Sequence, residues 1–244
     1  MKIDPLLLQT GEDIPFSQAR VTIHQPRLKE ISYIGEVNFH IGSRFLLFDK
    51  NQLSSEDNLD LDNQSNFNIF MSVMNSYDTK AIHKTDALMV LTLLFPEAKF
   101  KIENDKILLQ LENFSSSINE TNFQEFQSIL AQMFCLDKEQ EDEFNPEDAL
   151  AKRIADKIKK GKEKALAKKK GEQNIDNVSL YGKYISILSV GLGKDKNLLK
   201  EYTVPQIRDE FERYVLKQNF DSYFKAKLAG AQDLEEVKHW MEDL

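Results

Sequence analysis

The side chains that support catalysis or metal binding are scattered along this chain. The four histidines are His24, His40, His83 and His239. None of them has a second histidine or a cysteine at metal-ligand spacing, and Cys135 is the only cysteine. Because a zinc site needs three or four converging ligands in a fixed geometry, the sequence predicts no metal site. Each histidine is expected at the surface or hydrogen-bonded within the fold.

Two other patterns that can carry chemistry are incomplete. Carboxylate pairs such as Asp209 and Glu210 lie among Lys and Arg residues, where capping and pairing four residues apart are the expected roles. The glycine cluster VGLGK, residues 190–194, lacks the third glycine of a dinucleotide fingerprint and the spacing of a P-loop. The sequence therefore predicts no catalytic residues, no cofactor and no enzymatic activity. A hydrolase with an unrecognised site is the least favoured alternative.

Composition predicts a globular protein in extensive contact with water. The 244 residues carry a formal net charge of -8, and 30% of them are charged. Domains cluster near about 100–150 residues, so this length suits two modest cores. No apolar run approaches the roughly 18 residues of a membrane span. With a single cysteine and no leader-like segment, we expect a reducing, cytoplasmic compartment and no membrane contact.

The N-terminal part, residues 1–137, predicts an α+β domain of helices and a β-hairpin. Residues 28–48 mix helical and extended signals, which predicts a strand, a turn and a short helix. Apolar residues alternate on both sides of the turn pair Asn104-Asp105, which predicts the hairpin. The serine run at 115–117 is expected to be a loop. Residues 122–136 repeat apolar side chains at helical spacing and predict an amphipathic helix.

Charge changes abruptly after this domain. Acidic residues dominate 137–148, whereas 151–171 are rich in Lys. This shift predicts an acidic and then basic linker at 138–173, containing a solvated helix with little apolar surface. The ten cations of this electrostatic arm are Lys152, Arg153, Lys157, Lys159, Lys160, Lys162, Lys164, Lys168, Lys169 and Lys170.

The C-terminal part, residues 174–244, predicts an all-α domain. One apolar helical face contains Tyr181, Tyr184, Ile185, Leu188 and Leu192. A long helix is predicted to begin at Thr203, because Gln206 three residues later completes a capping box and Pro205 is tolerated in the first turn. Gly230 is the expected C-terminal stop of this helix.

Four stretches of the chain resemble a known family. They are residues 23–39 (IHQPRLKEISYIGEVNF), 122–136, 155–172 and 184–244. In these stretches the chain resembles the tail assembly chaperones of tailed bacteriophages and prophages of Gram-positive hosts. The resemblance implies a non-enzymatic role in virion morphogenesis, in the cytoplasm of the bacterial host. It also implies the tape measure protein or the tail tube protein as partner.

Aromatic residues of the C-terminal part are the candidate anchors for such a partner, because binding energy concentrates on aromatic side chains. The candidates are Tyr202, Phe211, Tyr214, Tyr223 and Trp240. Core packing is the alternative role of each. A second interpretation of the whole chain is a nucleic-acid-associated phage regulatory protein that acts through the Lys-rich arm. The arm lacks interleaved aromatic residues and follows an acidic block, which disfavours nucleic acid as the partner.

Overall fold

The computed structural model describes residues 2–50, 64–75, 82–136 and 179–231, together with 239 and 241. Met1–Leu136 and Leu180–Leu244 belong to one compact unit. The predicted linker with its ten cations lies outside the described residues, and so does Trp240.

The described chain is mostly helical, with two small antiparallel sheets. Its helices are α1 (Pro5–Thr10), α2 (Leu28–Ile34), α3 (Glu36–Leu46), α4 (Asn66–Asn75), α5 (Ile82–Leu94), α6 (Phe123–Met133), α7 (Leu180–Leu192), α8 (Lys196–Leu199) and α9 (Val204–Leu228). Its strands are β1 (Ile14–Phe16), β2 (Val21–Ile23), β3 (Lys99–Glu103), β4 (Lys106–Gln110) and β5 (Ser115–Asn119).

The larger sheet has the order β3-β4-β5. Its first two strands confirm the predicted hairpin, with Phe100 opposite Leu109. The predicted loop at 115–117 is wrong, because these serines belong to β5 and pair with β4. Ile118 is the only buried residue of β5, so the strand had no apolar alternation to reveal it.

The smaller sheet is the β1–β2 hairpin, which the sequence did not predict. Ile14 pairs with Ile23 and Phe16 with Val21, and all four side chains are buried. Each strand has only three residues. A strand this short gives one apolar-polar-apolar alternation, which is too little to distinguish it from a loop.

Residues 28–46 form two helices, so the predicted strand in this segment is wrong. The Glu30 carboxylate accepts the backbone N–H of Arg27 at 2.7 Å and supports the start of α2. Gly35 separates α2 from α3 at φ 87°, a conformation that favours glycine. Leu28 and Ile31 are buried, and their helical spacing accounts for α2.

One continuous hydrophobic cluster links the described parts of both predicted domains. Phe39 of α3 packs edge-on against Phe134 with ring centroids 5.0 Å apart. The same cluster contains Leu188 of α7 and Ile207 of α9, both fully buried. The predicted boundaries near residues 137 and 173 lie outside the described part of the chain. The division into two domains and a linker therefore stays a prediction.

Candidate protein-interaction surface

The backbone just before α9 docks on the first turn of α2. The N–H of Leu28 donates to the carbonyl of Tyr202 at 2.9 Å, and the N–H of Lys29 donates to the carbonyl of Lys200 at 2.9 Å. A β-bridge joins Arg27 to Thr203. The first N–H groups of a helix have no partner within the helix. Here two of these N–H groups donate hydrogen bonds to carbonyl oxygens of the C-terminal part of the chain.

Charge reinforces this docking at the surface. The Glu201 carboxylate lies 2.5 Å from Nζ of Lys29 and 3.3 Å from Nη1 of Arg27. The hydrogen bond from Lys29 is the main cause that lowers the pKa of Glu201, and Arg27 acts in the same direction. Because these side chains are at least partly exposed, the pairs fix position more than they stabilise the fold.

The carboxylate of Glu36 caps α7. One oxygen accepts the N–H of Leu180 at 2.8 Å and the N–H of Tyr181 at 3.2 Å. A negative charge at a helix N-terminus is favourable. The ring of His40 stacks on Tyr181 with centroids 5.4 Å apart. Burial raises the pKa of the Tyr181 hydroxyl, and the nearby charge of Glu36 raises it further. Residues 23–39 thus hold the C-terminal helices in place.

The N-terminus of α9 is fixed by polar contacts and by burial. The Gln206 side chain accepts the N–H of Thr203 at 2.8 Å and donates to the carbonyl of Gln9 at 2.8 Å. Arg208 donates to the carbonyl of Cys135 at 2.7 Å. Val204, Pro205 and Ile207 are buried. The predicted start of the long helix is therefore confirmed, and its first two turns are anchored to the N-terminal part.

Tyr202 takes part in a polar cluster within the chain. Nζ of Lys194 donates to the Tyr202 hydroxyl at 3.1 Å and to the Glu210 carboxylate at 2.7 Å. Burial lowers the pKa of Lys194, but the hydrogen bonds to Glu210 and Tyr202 outweigh it and leave the pKa raised. Tyr202 is thereby held against the core, with its hydroxyl already bonded.

The other aromatic candidates occupy two different environments. Phe211 stacks on Tyr184 with centroids 4.3 Å apart, and Tyr214 packs over Gly191, so both are half-buried against α7. Tyr223 lies farther along α9, with Nζ of Lys227 5.5 Å from its ring centroid. The structure therefore separates Tyr223 from the other described candidates.

Sequence analysis missed the apolar residues that α7 turns to solvent. Leu180, Ile187 and Val190 are 44%, 41% and 86% exposed. Their spacing places them on one side of α7, away from the buried Tyr181 and Leu188. The sequence did contain a signal for these residues, because α7 has more apolar residues than one buried face requires.

The distal part of α9 presents a second set of exposed apolar residues. Phe224 is 51% exposed and Leu228 is 73% exposed. Phe220 stacks on Phe224 with centroids 6.4 Å apart. We call the three residues Phe220, Phe224 and Leu228 the distal stripe. Two of its three side chains, Phe224 and Leu228, are therefore more exposed than buried.

The histidine with the closest acidic neighbours does not form a metal site. Nδ1 of His24 lies 2.9 Å from Asp13, and Nε2 lies 3.1 Å from Glu30. The two nitrogens point in different directions, so the carboxylates do not converge on one ion. No group of three metal-ligating side chains occurs in the part of the chain that the structure describes.

An open recess of about 460 Å³ lies beside the β1–β2 hairpin. Its lining includes Pro15, Thr22 and Phe114, with Arg20 as the charged group. A single guanidinium beside apolar groups supplies no pair of acid and base. The recess therefore does not define a catalytic site.

The comparisons with known proteins leave the chain without an assigned family. No family model, curated protein or solved structure matches it. Among the described helices, none is long and apolar enough to cross a bilayer. The fold and surface define a mostly helical unit with two small sheets that displays apolar side chains on α7 and α9.

Proposed function

We propose that this chain is a non-enzymatic assembly factor for phage tails that binds the tape measure protein or the tail tube protein. The observation that carries the binding role is the pair of exposed apolar surfaces on α7 and α9. Contiguous exposed apolar patches mark interaction sites. The assignment to tail assembly comes from the resemblance of residues 23–39 and 184–244 to that family.

In this proposal the N-terminal α+β part is a rigid frame. Glu36 and the first turn of α2 hold α7 and α9 at fixed positions on it. The acidic and basic segment 138–173 acts as a linker, and the helical part supplies the binding surface. The protein works in the cytoplasm of the bacterial host, where tail proteins are made.

The test is co-expression of the tagged full-length protein with the tape measure and tail tube proteins of the same phage. We expect one of them to be retained after nuclease treatment and a high-salt wash. The variant Ile187→Glu with Val190→Glu places charge on the exposed side of α7 and is expected to weaken retention. Leu6→Glu with Phe114→Glu is the matched control, because it changes exposed apolar residues outside α7 and α9.

Two outcomes would reject the proposal. One is that neither tail protein is retained by the folded parent protein. The other is that the α7 variant and the matched control weaken retention equally, since the effect would then come from added charge alone.

The second candidate function is binding of nucleic acid through the Lys-rich arm. The ten cations of that arm favour it, because lysines that neutralise phosphates release counterions. This candidate predicts an affinity that falls steeply as salt concentration rises. Recovery of nucleic acid without tail proteins, lost at high salt, would favour it over tail assembly.

A further inference from the structure

The helix α9 continues well beyond the core that anchors it. Its 25 residues span about 37 Å at 1.5 Å per residue. Only Val204, Pro205 and Ile207 are buried, and Phe211 and Tyr214 are half-buried against the core. Past Tyr214, no described apolar residue of α9 belongs to the core or packs against it. More than three turns of helix therefore extend without core contacts.

The distal stripe gives this extension one apolar face. Phe220, Phe224 and Leu228 are spaced four residues apart, which places them on the same side of a helix. The ring of Phe220 contacts the ring of His239 at 4.6 Å, but Phe224 and Leu228 remain largely exposed. Isolated helices of this length are only marginally stable in water. Burial of the stripe against a partner would stabilise the helix.

Among the described residues, the charges around the distal stripe are mainly positive. Lys217 pairs with Asp221 at 2.8 Å, which leaves Lys225 and Lys227 as the excess cations of the extension. Lys227 contacts Tyr223, and Lys225 has no partner among the described residues. At 100° per residue, Lys225 and Lys227 lie on opposite sides of the stripe. The apolar face is therefore flanked by cations on both sides.

We propose that the distal stripe binds an acidic amphipathic helix of a partner protein. The apolar side of that helix would cover Phe224 and Leu228, while its carboxylates would pair with Lys225 and Lys227. An apolar helix face recognised by a complementary helix is a common binding mode, and opposite charges at the rim select the partner and speed association. The inference rests on the proposed function only in that the partner is a protein.

The experiment uses the full-length protein and three labelled synthetic helical peptides. All three share one apolar face, and their other positions carry Glu, Gln or Lys. Fluorescence anisotropy is measured at low and at high salt. We expect the Glu peptide to bind most tightly, with an affinity that falls as salt rises, and the Lys peptide to bind most weakly.

Two variants locate the binding site. Phe224→Ala with Leu228→Ala is expected to weaken binding of the Glu peptide by about tenfold or more. Leu6→Ala with Phe114→Ala, which removes exposed apolar side chains outside α7 and α9, is the matched control and is expected to leave the affinity unchanged. Lys225→Glu with Lys227→Glu is expected to reverse the preference for the Glu peptide over the Lys peptide.

Several results would overturn the inference. These are equal binding of all three peptides, an equal loss of affinity in the control variant, or no binding of the Glu peptide. Sedimentation that shows a dimer abolished by Phe224→Ala would assign the stripe to a second copy of the chain. Binding to vesicles of anionic lipid without binding of the Glu peptide would assign it to a membrane surface.

The peptide experiment and the tail-protein experiment distinguish a failure of this inference from a failure of the proposed function. If the Glu peptide does not bind but a tail protein is still retained, the inference about the stripe falls and the proposed function stands. If the Glu peptide binds but no tail protein is retained, the proposed function falls alone.

Discussion

The Glu36 carboxylate accepts the backbone N–H of Leu180 at 2.8 Å across a sequence separation of 144 residues. With the bonds from α2 to residues 200 and 202, this contact makes residues 23–39 the docking site of the C-terminal helices. The role of this stretch explains its polar character. It supplies the carboxylate of Glu36 and the first N–H groups of α2, which form hydrogen bonds with the C-terminal part.

Glu36→Gln is expected to destabilise the fold by roughly 0.3–1 kcal/mol, the range for the interaction of one charge with a helix terminus. The amide oxygen can still accept a hydrogen bond, but it lacks the charge that interacts with the helix dipole. Urea unfolding measures the change, and amide exchange in α7 should become faster. The control is Glu97→Gln at an exposed carboxylate. Equal effects of the two substitutions would refute the capping role.

Tyr181→Phe is expected to protect the protein at alkaline pH. Burial raises the pKa of Tyr181, so the folded state keeps a proton that the unfolded state loses above about pH 10. Stability from this group is complete below that pH and falls as pH rises, by at most about 1.4 kcal/mol per pH unit. Urea midpoints between about pH 9 and pH 11 should decline less in the variant. Parallel declines in both proteins would contradict the assignment.

Local patterns account for the parts of the fold that sequence analysis predicted. The β3–β4 hairpin follows from the turn pair Asn104-Asp105 and the alternating residues around it. The start of α9 follows from Thr203 and Gln206, and its end before Gly230 follows from the positive φ of that glycine. Each signal lies within a few residues of the structure it specifies.

Contacts between distant residues were outside the reach of those patterns. No local signal at Glu36 indicates Leu180 as its partner, and none at Leu28 indicates Tyr202. The same limit applies to the surface, because Ile187 and Val190 resemble core residues until the packing of α7 is known. Tyr202, Phe211 and Tyr214 were proposed as anchors, and the structure places them in contacts within the chain.

Two glycines of helices are expected to respond differently to alanine. A Cβ on Gly42 would lie 2.4 Å from the backbone oxygen of Asp86, whereas a Cβ on Gly191 would lie 2.3 Å from the ring of Tyr214. The backbone of α5 cannot move aside, but the half-exposed Tyr214 side chain can rotate.

Gly42→Ala should therefore destabilise the protein by about 1–3 kcal/mol or more through overpacking. For Gly191→Ala, the gain in helix propensity of about 1 kcal/mol offsets much of the strain. Urea unfolding of both variants provides the comparison. A loss at Gly191 as large as that at Gly42 would show that Tyr214 is fixed in place.

Lys29→Met is expected to raise the pKa of Glu201. The hydrogen bond from Lys29 is the main cause of the lowered pKa of this carboxyl, and Arg27 supplies a smaller contribution. The carboxyl stabilises the fold above its unfolded pKa of about 4.3, and this contribution is lost as pH falls through the lower folded value. An NMR titration of the Glu201 side chain measures its pKa in the parent protein and in the variant. An unchanged midpoint in Lys29→Met would show that the pair is absent in solution.

The residues that flank segment 137–179 contact neighbouring residues of α3. Phe134, shortly before the segment, packs on Phe39 with ring centroids 5.0 Å apart. Tyr181, shortly after it, stacks on His40 at 5.4 Å. The two flanks of the segment therefore lie close together within the compact unit.

Replacing residues 137–179 with a Gly/Ser linker of about eight residues should leave the compact unit folded. A shorter loop costs less conformational entropy to close. The replacement is therefore expected to raise the free energy of unfolding by about 1–2 kcal/mol. Urea unfolding and circular dichroism measure the result. The same variant lacks the Lys-rich arm, so a tail protein that still binds would be recognised without it. Loss of cooperative unfolding would show instead that the excised segment contributes to the core, and binding could not then be assigned to α7 and α9 alone.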